Sequence, residues 1–137
     1  MPKTYSAHEA LLLLMVTVSM ADRTVTDKEI GEIGLLVDTL PVFEGFDRER
    51  VPALADATAE ILDSHDGIDR ILRKAKDALP EKLYETAYAL AIEVSAVDLA
   101  AGQEELRFLE MMRDAFDLDP LVTAAIERSA RVRYRRL

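Results

Sequence analysis

The chain contains no cysteine. That removes disulfides, thiolate nucleophiles and every zinc or iron–sulfur site built on a cysteine ligand, and it suits a cytoplasmic protein. Glycine and proline are sparse, five of each in 137 residues, which leaves little room for strand-and-turn architecture. Histidine is nearly missing: His8 stands beside Glu9 at a helix start, and His65 lies in the polar turn Asp63-Ser64-His65-Asp66-Gly67. Both are expected to be solvated turn residues rather than bases. There is no Glu-x-x-His pair for a di-iron bundle, no His-Glu-x-x-His zinc helix and no Gly-rich phosphate loop. The expectation is a protein that is not an enzyme.

What is present is apolar and acidic. Half the residues are hydrophobic and 31% charged, ordinary for a single helical domain that buries roughly two thirds of its unfolded surface. The formal net charge is −9, unevenly spread. The last ten residues hold five arginines (Arg128, Arg131, Arg133, Arg135, Arg136) and none of the 26 acids, which leaves residues 1–127 at a net −14. An acidic body disfavours nucleic acid and suits a cation or a basic protein surface. Arginines at a helix C-terminus are favoured by the helix dipole and are usually solvated. Together with Tyr134 they could also dock on an acidic surface, a phosphate-bearing ligand, an anionic membrane or a neighbouring subunit of a homo-oligomer.

Ala10 to Ala21 is almost continuously apolar, too short to span a bilayer, and reads as a buried central helix rather than a secretion signal. Ser6 caps it, with Glu9 completing a capping box, and it runs to about Asp22. Thr26 caps a second helix with Glu29 as reciprocal partner; Ile30, Ile33, Leu36, Val37 and Leu40 form its stripe and Pro41 stops it. Phe43 and Phe46 in the connector should tuck onto the core. Asp47 caps a third helix through Val51, Leu54, Ala55, Ile61 and Leu62, its start blurred by Pro52. Asp66 and Asp69 open a fourth through Ile68, Ile71, Leu72, Ala75 and Leu79. Pro80 fits the first position of a fifth, which runs to about Asp98. Gly102 caps a sixth with Leu106, Leu109, Met112 and Phe116 inward, and Asp119-Pro120 begins a seventh through Leu121, Val122, Ala125 and Ile126. Met15, Met20, Met111 and Met112 are expected in the core. The fold expected is an all-α bundle of about seven helices in one domain, 1–137.

Two stretches of this chain match each other at an offset of 76 residues. Val18-Ser19, Asp22 and Glu29 recur as Val94-Ser95, Asp98 and Glu105, with Glu9 over Glu85, Leu14 over Leu90, Ile30 over Leu106 and Ile33 over Leu109. Two helical hairpins follow, about 6–40 and 80–116, each with an acid at the end of its first helix and another early in its second. An aspartate at a helix C-terminus is disfavoured by the dipole, so its use at both equivalent positions needs a cause. One is local: an Asx-turn at each aspartate and a capping box for Glu29. The other is convergence of Asp22, Glu29, Asp98 and Glu105 on a hard divalent cation, Ca²⁺ or Mg²⁺. An EF-hand is ruled out, since the twelfth positions counted from the aspartates are Ile33 and Leu109.

Ala-Asp-x-x-x-x-x-x-Glu in the first copy, its Asp and Glu repeated at the same spacing in the second, resembles the tellurite-resistance TerB-like family, a fold also similar to the amino-terminal domain of the co-chaperone DjlA. The resemblance covers roughly Tyr5 to Ile126. It implies a cytoplasmic helical bundle, linked to tellurite and other stress responses, whose clustered acids hold a divalent metal. Carried over by position, those acids are Asp22, Glu29, Asp98 and Glu105. Arg23 and Leu99 stand where the family usually has glycine, and Gly102 stands where it has an oxygen-bearing side chain. The alternative is a scaffold for a protein partner, with the acids serving only as caps.

Overall fold

Helix α1, Ala7–Met20, opens with the capping box: the Ser6 N–H donates to Glu9 Oε1 (2.9 Å) and the Glu9 N–H to Ser6 Oγ (3.1 Å). Ten of its 14 residues are buried, including the unbroken run Leu11–Val18. A helix with no polar side has nowhere stable but the interior, and α1 accordingly packs against α3 (Val51–Leu62), α4 (Gly67–Ala78) and α5 (Tyr84–Val97) at once. Its two buried hydroxyls stay satisfied within the helix, Thr17 donating to the Leu13 carbonyl (2.6 Å) and Ser19 to that of Met15 (3.3 Å).

The remaining helices are α2 (Asp27–Thr39), α6 (Gln103–Ala115) and α7 (Pro120–Arg133). This computed structural model describes residues 4–20, 26–97 and 102–137, and among them it holds seven α-helices and no strand. The all-α bundle expected from the sequence is therefore what forms. No helix among the described residues is long and apolar enough to cross a membrane. The hairpin helices match in length across the repeat: α1 and α5 each have 14 residues, α2 and α6 each 13. α1 and α5 pack directly on each other, and α7 packs on α5.

Most element boundaries follow from local chemistry. Thr26 and Glu29 form the capping box of α2, Gly102 is the extended N-cap of α6, and Asp119 Oδ1 accepts the Leu121 N–H (2.8 Å) to start α7 behind Pro120. Three starts differ from the sequence expectation. Asp47 caps a 3₁₀ turn, Arg48–Arg50, that feeds into α3; Pro52 sits in the first turn, where its missing N–H costs no helical bond. Asp66 is the N-cap of α4 but its side chain makes no capping bond. Pro80 precedes another 3₁₀ turn, Glu81–Leu83, so α5 begins at Tyr84.

Some expected core positions face out: Leu106 is 55% exposed, Leu121 81% and Ile68 38%. The cause in α6 is rotational. Glu105, Phe108, Leu109 and Met112 form the buried stripe, and with a carboxylate in the first inward slot the neighbouring Leu106 turns to solvent. At the start of α4 the buried place goes to Gly67, against the end of α3, and Ile68 points away. In α7 the fully buried positions are Thr123 and Ala130. The methionines behave as expected, Met15 and Met112 fully buried and Met20 and Met111 packed at the core's edge.

His8 is not the solvated turn residue its neighbours suggested. Its Nε2 lies 2.8 Å from the Val42 carbonyl oxygen, and its ring sits 5.8 Å from Phe43 and 5.4 Å from Phe46. The histidine ties the start of α1 to the aromatic connector after α2. His65 is exposed, as expected.

Candidate functional site

Glu29 and Glu105 occupy the same place in their hairpins, the third residue of α2 and of α6. A carboxylate there faces the unsatisfied N–H groups and the positive end of the helix dipole. What surrounds the two then diverges. Thr26 supplies Glu29 with two donors, its N–H and its Oγ–H, both 3.0 Å from Oε1, and the pair stays at the surface. Gly102 in the second copy has no hydroxyl to offer. Glu105 turns inward instead, is 3% exposed, and accepts the Ser95 hydroxyl at Oε2 (3.1 Å).

Ser95 is the residue that sequence reasoning passed over. It recurs with Ser19 at the 76-residue offset, and in the first copy that serine serves its own helix. The signal available beforehand was the combination of a repeated serine with a glycine cap, which frees both Glu105 and Ser95 for each other. The remaining two candidates, Asp22 and Asp98, lie outside the described residues. Among the described residues no three His, Asp or Glu side chains gather closely enough to hold a metal ion. The described half of the expected ligand set is thus two glutamates at equivalent helix starts, one half-buried and capped, one buried and bonded to serine.

Two further polar networks pin α7. The Tyr88 hydroxyl, from α5, donates to Glu127 Oε2 (2.7 Å) and accepts from Arg113 Nη1 of α6 (2.8 Å). Burial, together with the Glu127 carboxylate, pushes the Tyr88 phenol up to about 12. Nearer the C-terminus, Arg133 grips Glu93 with a two-pronged pair of hydrogen bonds (2.9 and 2.8 Å), and the Tyr134 hydroxyl donates to Glu93 Oε1 (2.7 Å). Arg133 holds the Glu93 carboxyl below its ordinary value despite partial burial. One of the five tail arginines is therefore anchored rather than free. Every buried side-chain nitrogen and oxygen among the described residues has a hydrogen-bond partner.

A cavity of about 230 Å³ opens between α1, α3, α4 and α6, its lining mostly apolar (Met20, Leu62, Ile68, Phe108 and Met111) with Glu104 and Arg107 as its charged members. It is smaller than the roughly 300–1,000 Å³ usual for ligand pockets. No protein-family profile, no curated protein and no solved structure matches the chain.

Proposed function

We propose that the protein is a non-enzymatic, TerB-like stress-response module of the cytoplasm that binds a divalent cation between its two hairpins. Asp22, Glu29, Asp98 and Glu105 are the ligands in this reading, directly or through water, and Ca²⁺ or Mg²⁺ is the ion their oxygen chemistry suits. The observation that carries it is the placement of Glu29 and Glu105 at the same third position of equivalent 13-residue helices. A repeated carboxylate at a repeated helix start is what a two-hairpin cation site requires, and a buried one such as Glu105 gains most from a cation's charge. Calorimetric titration with Ca²⁺ and Mg²⁺ tests it. Native protein should release or absorb heat with saturation, and Asp22→Ala with Asp98→Ala should abolish the signal; a silent native protein defeats the proposal.

The second reading is a protein-interaction scaffold whose acids serve structure alone. It is favoured by the Glu29 capping box, which occupies Oε1 with two donors. On this reading the aspartate substitutions lower stability without touching any ion response, and a bound partner survives chelator.

A further inference from the structure

The outward stripe of α7 carries Leu121, Ala124, Ala125, Arg128, Arg131 and Val132, all exposed. Arg135 follows just past the helix end. Among the described residues Arg128, Arg131 and Arg135 make no ion pair, whereas Arg133 is committed to Glu93. Glu127, the sole acid of α7, is turned inward to Tyr88 and Arg113. The stripe is thus a row of uncompensated positive charge on a chain whose residues 1–127 are net −14.

The acidic surface that answers it lies on α3. That helix contains no basic residue, and its outward positions Asp56 and Glu60 and the Asp63 that caps its C-terminus are all exposed, with no ion pair among the described residues. Elsewhere acids are mixed with cations or paired: α2 has Lys28, α4 four cations (Arg70, Arg73, Lys74, Lys76), and α6 Arg107 and Arg113. Helices α1 and α5, which also lack Lys and Arg, have Glu9 bound to Arg50 and Glu93 bound to Arg133. Residues three and four apart share one face of a helix. Run antiparallel, Asp63 and Glu60 have the same three-residue step as Arg128 and Arg131, and Asp56 falls at the Arg135 end. We infer that the α7 stripe docks on the α3 acidic row of a second copy of this chain. A single helix pair buries less than the roughly 1,200 Å² of a stable interface, so the association is transient and screened by salt. It does not depend on the cation reading.

Sedimentation velocity over a range of protein concentrations tests it. At low ionic strength the mean mass should rise with concentration, and it should return to monomer at about 1 M salt, where charges are screened beyond about 3 Å. Arg128→Glu, Arg131→Glu and Arg135→Glu combined should weaken association at least about tenfold, as should Asp56→Lys, Glu60→Lys and Asp63→Lys combined. Mixing the two charge-reversed proteins should restore a salt-sensitive complex that neither forms alone. Monomer at every concentration in low salt overturns the inference, as does association that the reversals leave intact or that mixing fails to rescue. Wild-type binding to anionic phospholipid vesicles or duplex DNA without self-association also overturns it, by giving the stripe a different occupant.

Discussion

Ser95 and Ser19 occupy equivalent positions but do different work, and single substitutions separate them. Ser95→Ala strips a buried carboxylate of a donor and should cost about 1–2 kcal/mol. Ser19→Ala removes only a bond to its own helix carbonyl and should cost well under about 1 kcal/mol, so urea midpoints should fall in that order. Tyr88 makes a pH prediction. Its folded-state value is raised from 10.0 to about 12, so the folded protein holds that proton more tightly than the unfolded chain. Its contribution is complete below pH 10 and is lost as pH rises through the interval to about 12. Tyr88→Phe should flatten that part of the alkaline limb, read by circular dichroism against pH. Glu93 acts in the opposite sense: with its folded value lowered from 4.5, its contribution is present above that pH and fades as acid titrates it. At this scale the sequence was only partly legible. Glu29 and Glu105 were visible through the repeat, but Glu93 with Arg133 and Glu9 with Arg50 lie 40 and 41 residues apart, and no local pattern announces a pairing so remote.

Helices and their junctions were the most legible level, because their signals are local. Ser6-x-x-Glu9, Thr26-x-x-Glu29 and Asp119-Pro120 each mark a start that the structure uses. What the pattern hid was rotation: an apolar count puts Leu106 inward, and only the burial of Glu105 one position earlier explains why it faces out. The glycines offer a contrast between helices. A Cβ on Gly31 meets nothing within 4 Å, so Gly31→Ala in α2 should gain about 0.5–1 kcal/mol from helix propensity and lost unfolded-state freedom. At Gly67 a Cβ would stand 2.6 Å from Leu62 Cα and 2.7 Å from the Ile61 carbonyl oxygen. Backbone cannot swing aside as a side chain can, so Gly67→Ala should cost about 1–3 kcal/mol by prising α4 from α3. Thermal melts of the two variants should move in opposite directions from wild type.

The whole molecule is organised around α1, which is buried along most of its length and packs chiefly against α3, α4 and α5, with α2 and α6 also touching it. Leu13 is fully buried, and Leu13→Ala should cost about 3–5 kcal/mol, the upper part of the range for buried leucines with little room to relax. Because α3, α4 and α5 all lose contacts with it, unfolding should remain one concerted transition, with calorimetric and van't Hoff enthalpies equal. This central position was foreseeable from composition, since a run such as Leu11–Val18 has no solvent-compatible side.

The same helix sets a problem during biosynthesis. From Met20 at the end of α1 to Val97 at the end of α5 the ribosome must add 77 residues, which at about 5–20 residues per second takes roughly 4–15 s. Throughout that interval the helix of four consecutive leucines, Leu11–Leu14, waits without α5 to pack against. Nascent chains stalled before α5 emerges should therefore be sticky, and a holdase that shelters short apolar segments would have its main client here.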